Sequence, residues 1–148
     1  MVKVNNTLVQ MSKGIFTLSS LNLQEGANVI TATAVDRAGN QATPAVVNVI
    51  LDTTPPAVPM LNPLPAVTKM LVSTVTGTTE AGAQVEIYVN SVSQGTVKAN
   101  DKGLFSHTIN LTEGNNAVTV TATDAPGNTC APSAVTNVFL DTKPPRLL

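Results

Sequence analysis

The feature that most constrains this chain is a phrase that it contains twice. The segment "TATAVDRAGN" spans residues 31–40, and "TVTATDAPGN" spans residues 119–128, 88 positions later. When residues 23–44 are compared with residues 111–132, eleven of the 22 positions are identical. Similarity at a fixed distance indicates an internal repeat, in which each copy is one structural unit. The chain is therefore predicted to be a tandem array.

The repeat extends beyond this phrase in both directions. Upstream, "KGIFTLSS" corresponds to "KGLFSHTI", with one extra residue near Ser19 and Ser20 that predicts a bulge. Downstream, "NVILDTTPP" corresponds to "NVFLDTKPP", and "VKVNN" loosely matches "IYVNS". The second copy has about 30 further residues ahead of that last match, and the first copy has none, whereas a full sandwich needs such opening strands. We therefore predict a partial repeat at 1–56 and a complete repeat at 57–148.

Apolar and polar residues alternate along the complete repeat, with Gly, Asn or Pro clusters about every ten residues. This pattern predicts seven short strands of an immunoglobulin-like sandwich, lettered A to G in the usual way. We expect them near 59–63, 70–78, 84–91, 94–99, 104–111, 116–124 and 134–141. The predicted fold class is all-β, as tandem Ig-like β-sandwiches, the first lacking its opening strands A and B. The Pro-Pro pairs that follow each copy are typical of stiff linkers.

Composition argues against several classes of function. The net charge of -1 and the pI near 5.7 give no electrostatic case for binding nucleic acid, and no apolar run is long enough for membrane insertion. The single histidine, His107, lies on the apolar side of its strand and is expected to be packed or at the rim. The single cysteine, Cys130, is expected to be a small incidental side chain. We therefore predict that the chain is not an enzyme.

The order "GTTEAGAQVEIYVN", "GLFSHTINLTEGNNAVTVTATDAPGN" and "VFLDTKPP" resembles the bacterial immunoglobulin-like repeats of large surface proteins, secreted proteins and adhesins. It is also similar to the accessory Ig-like domains of extracellular glycoside hydrolases. The resemblance implies an extracellular or cell-surface stalk or spacer whose partners are neighbouring repeats. The alternative that it implies is an accessory domain of a carbohydrate-active enzyme. For that alternative, the outward-facing Tyr88 and Phe139 are the candidate sugar contacts.

Seven of the nine acidic residues lie at turns or strand ends. Some adhesin repeats similar to this one hold Ca²⁺ between domains, so the resemblance implies Ca²⁺ as a possible cofactor at the junction. The candidate metal ligands are Asp52, Glu80 and Asp124. The alternative is that acids simply favour turns, where Asp36 and Asp124 accept backbone hydrogen bonds.

The partial repeat raises a separate question about partners. Without strands A and B, Phe16 and its apolar neighbours lose the sheet that would cover them, and a strand edge stays unpaired. We therefore expect residues 1–56 to be completed by another chain, such as a second copy, or to be only marginally stable.

Overall fold

The structure is a computed structural model and describes residues 1–146. It divides into two compact units, unit 1 at Met1–Thr53 and unit 2 at Thr54–Leu148. The strands of unit 1 are β1 (Val2–Val4), β2 (Thr7–Val9), β3 (Met11–Ser12), β4 (Ile15–Phe16), β5 (Gly26–Ala34) and β6 (Ala45–Leu51). The strands of unit 2 are β7 (Met60–Leu61), β8 (Val67–Thr68), β9 (Val72–Thr78), β10 (Gln84–Val89), β11 (Val92–Lys98), β12 (Leu104–Asn110), β13 (Gly114–Thr123) and β14 (Thr136–Leu140).

Unit 2 is a complete sandwich of two sheets. One sheet has the order β11-β10-β13-β14-β8, and the other has the order β12-β9-β7. Alternate residues of these strands point inward, as the period of two predicts. The inward residues form one sealed core, which includes Val75, Val85, Ile87, Ile109, Val118, Val120, Val138 and Leu140. The predicted all-β, Ig-like sandwich is therefore confirmed.

The fourth predicted strand, near 94–99 and observed as β11, departs from the predicted lettering. Strand D of a constant-type Ig domain lies in the sheet that contains strands A, B and E. Here β11 pairs with β10, in the opposite sheet, so the lettering was wrong at this position. The short Asn90-Ser91 turn fixes the pairing, because both residues have positive φ, at 50° and 65°, as a tight hairpin turn requires. The β10–β11 register shifts by one residue at Ile87 and Tyr88, which leaves Gln94 as a bulge.

Unit 1 reproduces one sheet of the sandwich. Its four-stranded sheet has the order β2-β1-β5-β6, which corresponds to β11-β10-β13-β14 of unit 2. The described residues of unit 1 contain no counterpart of β7, β8 or β9. The segment corresponding to β12 pairs only over Ile15–Phe16, with Met11–Ser12. Ser19 lies at a bend in an unpaired stretch, so the bulge predicted there does not form, because a bulge requires a ladder partner.

The first hairpin is shifted relative to the correspondence read from the sequence. Val4 pairs with Ala32, whereas in unit 2 Ile87 pairs with Val120, the counterpart of Ala32. The "VKVNN" match aligned Val4 with Val89. In the structure, Val4 instead occupies the position of Ile87 in its sheet. The shift is two residues, so the inward and outward faces are unchanged. Among the described residues, no helix reaches the length and hydropathy needed to cross a bilayer.

Candidate functional site

The repeated phrase ends in a turn that an aspartate closes. Asp124 Oδ1 accepts hydrogen bonds from the backbone amides of Gly127 and Asn128 at 2.8 and 2.7 Å, and its Oδ2 accepts one from Asn128 Nδ2 at 2.8 Å. In unit 1, Asp36 accepts the Asn40 amide at 2.9 Å and Asn40 Nδ2 at 2.8 Å. The prediction that both aspartates bond backbone donors in their turns is confirmed. The "D-x-x-G-N" pattern thus encodes a turn with a fixed shape.

These hydrogen bonds favour the charged form of both carboxyls. For Asp36, the Asn40 side chain and then the Asn40 amide lower the pKa below its usual value. For Asp124, desolvation opposes ionisation, but the hydrogen bonds from the Asn128 side chain, the Asn128 amide and the Gly127 amide together outweigh it and lower the pKa. Both aspartates are therefore ionised at neutral pH.

A glutamate fastens the end of the last strand in each unit. In unit 1, Glu25 accepts hydrogen bonds from Thr53 through its amide, at 3.1 Å, and its hydroxyl, at 2.8 Å. In unit 2, Glu113 accepts the Thr142 hydroxyl at 2.8 Å and its amide at 3.3 Å. Lys143 Nζ lies 3.8 Å from Glu113. We call this contact the Glu–Thr clamp; sequence reasoning missed it, although "EG" and "DT" recur in both copies.

An asparagine supports the clamp turn from inside. Asn116 is fully buried, and its Oδ1 accepts the Thr112 amide at 2.9 Å. Its Nδ2 donates to the carbonyls of Thr112 and Gly114 at 2.8 and 3.0 Å. Asn28 makes the corresponding bonds in unit 1. Sequence reasoning missed this role, although this asparagine is one of the eleven identical positions and a polar residue on an inward-facing parity was the available signal.

The three predicted metal ligands lie in different units. Asp52 directly follows β6 in unit 1, whereas Glu80 and Asp124 belong to exposed turns of unit 2. Asp124 and the Glu80 turn, through Gly82, line one shallow hollow, which Lys98 also lines. Within either unit as described, no group of three or more His, Cys, Asp or Glu side chains could hold a metal ion. Because the predicted site takes ligands from both units, Ca²⁺ binding stays a prediction.

The two outward aromatic residues, Tyr88 and Phe139, lie on the same face of one sheet but far from each other. Tyr88 pairs with Thr119, and Phe139 pairs with Asn115, on opposite sides of β13. Two strand spacings and four residues of rise place them about 16 Å apart. Tyr88 also bonds Glu86, and this hydrogen bond, with desolvation, raises the pKa of the Tyr88 hydroxyl. The pair is too widely separated to form a platform for one sugar ring.

His107 and Cys130 are the two most reactive types of side chain in the sequence, and both make structural contacts. His107 Nε2 lies 3.0 Å from the carbonyl of the bulged Gln94, at the rim of the core. Cys130 is buried beside Ala83 and Ala122, and its Sγ accepts the Ala122 amide at 3.1 Å. The expectation of a packed or rim histidine is confirmed. The small-side-chain interpretation of Cys130 also fits.

This geometry defines an Ig-like sandwich repeat whose acids and asparagines fix turns. Residues 64–138 match the bacterial Ig domain family. These 75 residues are just over half of the 148-residue chain, so the chain belongs to the bacterial Ig domain family. A comparison with curated proteins finds no match.

A solved structure agrees with the fold assignment. The chain is similar to the fibronectin(III)-like modules of CbhA from Clostridium thermocellum, with 17% identity and a TM-score of 0.56, over 94% of this chain and 75% of that one. A second similar structure is the BSP domain of a biofilm-associated protein, with 21% identity and a TM-score of 0.43, over 81% of this chain and 20% of that one. The likeness to the CbhA modules, at 17% identity, shows the fold alone.

Proposed function

We propose that the chain is a non-catalytic structural repeat segment of a bacterial cell-surface or secreted protein, acting as a stalk or spacer. Membership of the bacterial Ig domain family supports this proposal. The polar contacts described above in unit 2 hold local structure in place: Asp124 closes a turn, and the Glu–Thr clamp holds the end of the last strand. A spacer must keep its fold while its ends are pulled, and these contacts serve that task.

The observation that carries the proposal is the pairing of the opening and closing segments of unit 2. β8 and β14 run parallel, with Phe139 opposite Val67 and Leu140 opposite Thr68. The Phe139 amide donates to Ala66 and the Asp141 amide donates to Thr68, both at 2.9 Å. When the chain is pulled from both ends, parallel strands slide along each other. Their hydrogen bonds are then loaded together instead of breaking one after another.

Single-molecule pulling of the full chain between terminal handles tests this function. Unfolding of unit 2 should give a distinct force peak and a length gain of roughly 300 Å, since about 80 structured residues extend by up to 3.6 Å each. Asp141→Pro removes the amide that bonds Thr68, whereas Asp141→Ala keeps it. The peak should fall for the proline variant and stay near wild type for the alanine variant.

Two outcomes would contradict a tension-bearing role. One is unfolding of unit 2 without a force peak, and the other is equal forces for the two variants.

The finer part of the proposal is that Ca²⁺ bound through Asp52, Glu80 and Asp124 stiffens the array. It is supported by the resemblance and by the ionised state of Asp124. A chain that supplies the missing opening strands is likewise proposed as the partner of unit 1, on the strength of the open face of its sheet.

A further inference from the structure

The two units place equivalent residues in different surroundings. Phe105 is 5% exposed, and its counterpart Phe16 is 42% exposed. Val118 and Val120 are fully buried in unit 2, whereas their counterparts Ile30 and Ala32 are only half-buried. In unit 1 the inward face is an open apolar hollow of about 380 Å³, lined by Val4, Phe16, Leu18, Leu21, Ile30, Ala32, Ala45 and Val47.

Unit 2 shows what covers this face in a complete repeat. β9 pairs with β12 so that Gly77 lies opposite Phe105, Val75 opposite His107 and Ser73 opposite Ile109. Gly77 has no room for a side chain, because a Cβ there would clash with the Met60 carbonyl oxygen and would lie 2.7 Å from Phe105 Cζ. The backbone carbonyl of Met60 in β7 and the Phe105 ring on β12 together require glycine at this position of β9.

Unit 1 contains counterparts of the β12 side chains that lie beside β9 in unit 2. Phe16 corresponds to Phe105, Leu18 to His107 and, after the extra residue, Leu21 to Ile109. All three line the hollow. Leu18 lacks the imidazole that in unit 2 bonds the Gln94 carbonyl, so the position facing a valine is more apolar here. Residues 17–25 belong to no ladder, which leaves their edge available for strand addition.

We propose that the open face of unit 1 binds an extended strand that carries valine and, two residues later, glycine. The strand runs antiparallel to residues 16–21, with the glycine against Phe16 and the valine against Leu18. Its source is the free opening segment of a bacterial Ig repeat of this kind, with the chemistry of residues 57–79. The inference rests on the proposed function only in treating the chain as one member of an array of repeats. Failure of strand binding would leave the pulling experiment unaffected.

The test is a titration of a labelled synthetic peptide of residues 57–79 with the full chain, followed by fluorescence anisotropy. We expect saturable binding of one peptide per chain. A peptide with Gly77→Val should bind at least about tenfold more weakly, because an inserted side chain overpacks the contact with Phe16. A peptide with Thr74→Val adds the same valine on the outward side of the strand. It should bind within about twofold of the unmodified peptide.

A matched pair of chain variants locates the binding face. Leu18→Asp lies in the hollow and should reduce peptide affinity by at least about tenfold. Val29→Asp lies on the outward face of β5, where Val29 is 60% exposed, and should leave the affinity unchanged. Circular dichroism checks that both variants keep their strands; if Leu18→Asp does not, the peptide variants alone decide.

Three results would overturn the proposal. They are no saturable binding, equal binding of the Gly77→Val and unmodified peptides, and binding that Leu18→Asp leaves intact, which would place the peptide in unit 2. A fourth result that would overturn the proposal is tested by sedimentation. A dimer of the chain that excludes the peptide would mean that a second copy, and not a free strand, covers the face.

Discussion

Replacing Asn116 by alanine should be among the most damaging single polar substitutions in unit 2. The side chain is fully buried, and it bridges the Glu–Thr clamp turn to β14. Alanine has no atoms that could take over these bonds, and no solvent reaches the site. The neighbouring Asn115 provides a matched control, because it is exposed and its amide bonds only the Asn137 side chain at 3.0 Å among the contacts described.

The magnitude follows from the hydrogen bonds that are lost. Nδ2 has two hydrogens, so of its three acceptors we count the two shorter contacts, to Thr112 and Gly114. Together with the Thr112 amide on Oδ1, three backbone groups lose their partner. At about 1 kcal/mol each, Asn116→Ala should lower the free energy of unfolding by about 3 kcal/mol. Asn115→Ala should cost no more than about 0.5 kcal/mol.

The chain itself provides the assay. It contains one tyrosine, Tyr88 in unit 2, and no tryptophan, so tyrosine fluorescence during urea unfolding reports unit 2 selectively. About 3 kcal/mol corresponds to a fall in melting temperature of roughly 12–24 °C for a domain of this size. If Asn116→Ala unfolds at the same urea concentration as Asn115→Ala, the buried hydrogen bonds do not stabilise unit 2 as argued.

Three further predictions concern the turns, the core and the cation. Asp124→Ala should lower the melting temperature of unit 2 by a few degrees at pH 7, with Asp101→Ala, an exposed turn acid, as the neutral control. Folding lowers the pKa of Asp124 below its usual value, so the stability that its carboxylate contributes is present at neutral pH and is lost as the pH falls through the folded pKa. The difference in melting temperature between wild type and Asp124→Ala should therefore close in acid; a constant difference would contradict this. Gly77→Ala should destabilise unit 2 by about 1–3 kcal/mol in urea unfolding, since its Cβ would meet both Phe105 and a carbonyl; an unchanged midpoint would show that the strand yields. Titration calorimetry with millimolar Ca²⁺ should give binding heat for wild type and less for Asp52→Ala, with Asp101→Ala unaffected; no heat for wild type would leave the acids as turn residues.

Local patterns in the sequence were sufficient for much of the fold. The alternation of Val85, Ile87 and Val89 marked the buried face of β10, and all three are buried. The Asp124 turn was predictable because its donors lie three and four residues away, within one stretch of chain. The Glu–Thr clamp was not, since Glu113 and Thr142 are 29 residues apart and only the sandwich brings them together. The pairing of β11 was missed for a different reason: its partner β10 is only the Asn90-Ser91 turn away, and this local hairpin overrides the strand order expected of a constant-type Ig domain.

The sequence also indicates which face of a strand is apolar without determining whether that face is buried. Phe16 and Phe105 occupy equivalent positions on the apolar face of the repeat, yet only Phe105 is buried. The difference lies in β9, whose Gly77 accommodates the Phe105 ring and whose counterpart the described part of unit 1 does not contain. Burial requires two facing surfaces, and among the described residues only unit 2 contains both sheets of the sandwich. Among the described residues the inner face of the unit 1 sheet therefore stays exposed, and in our proposal the residue pattern of β9 describes the strand that closes it.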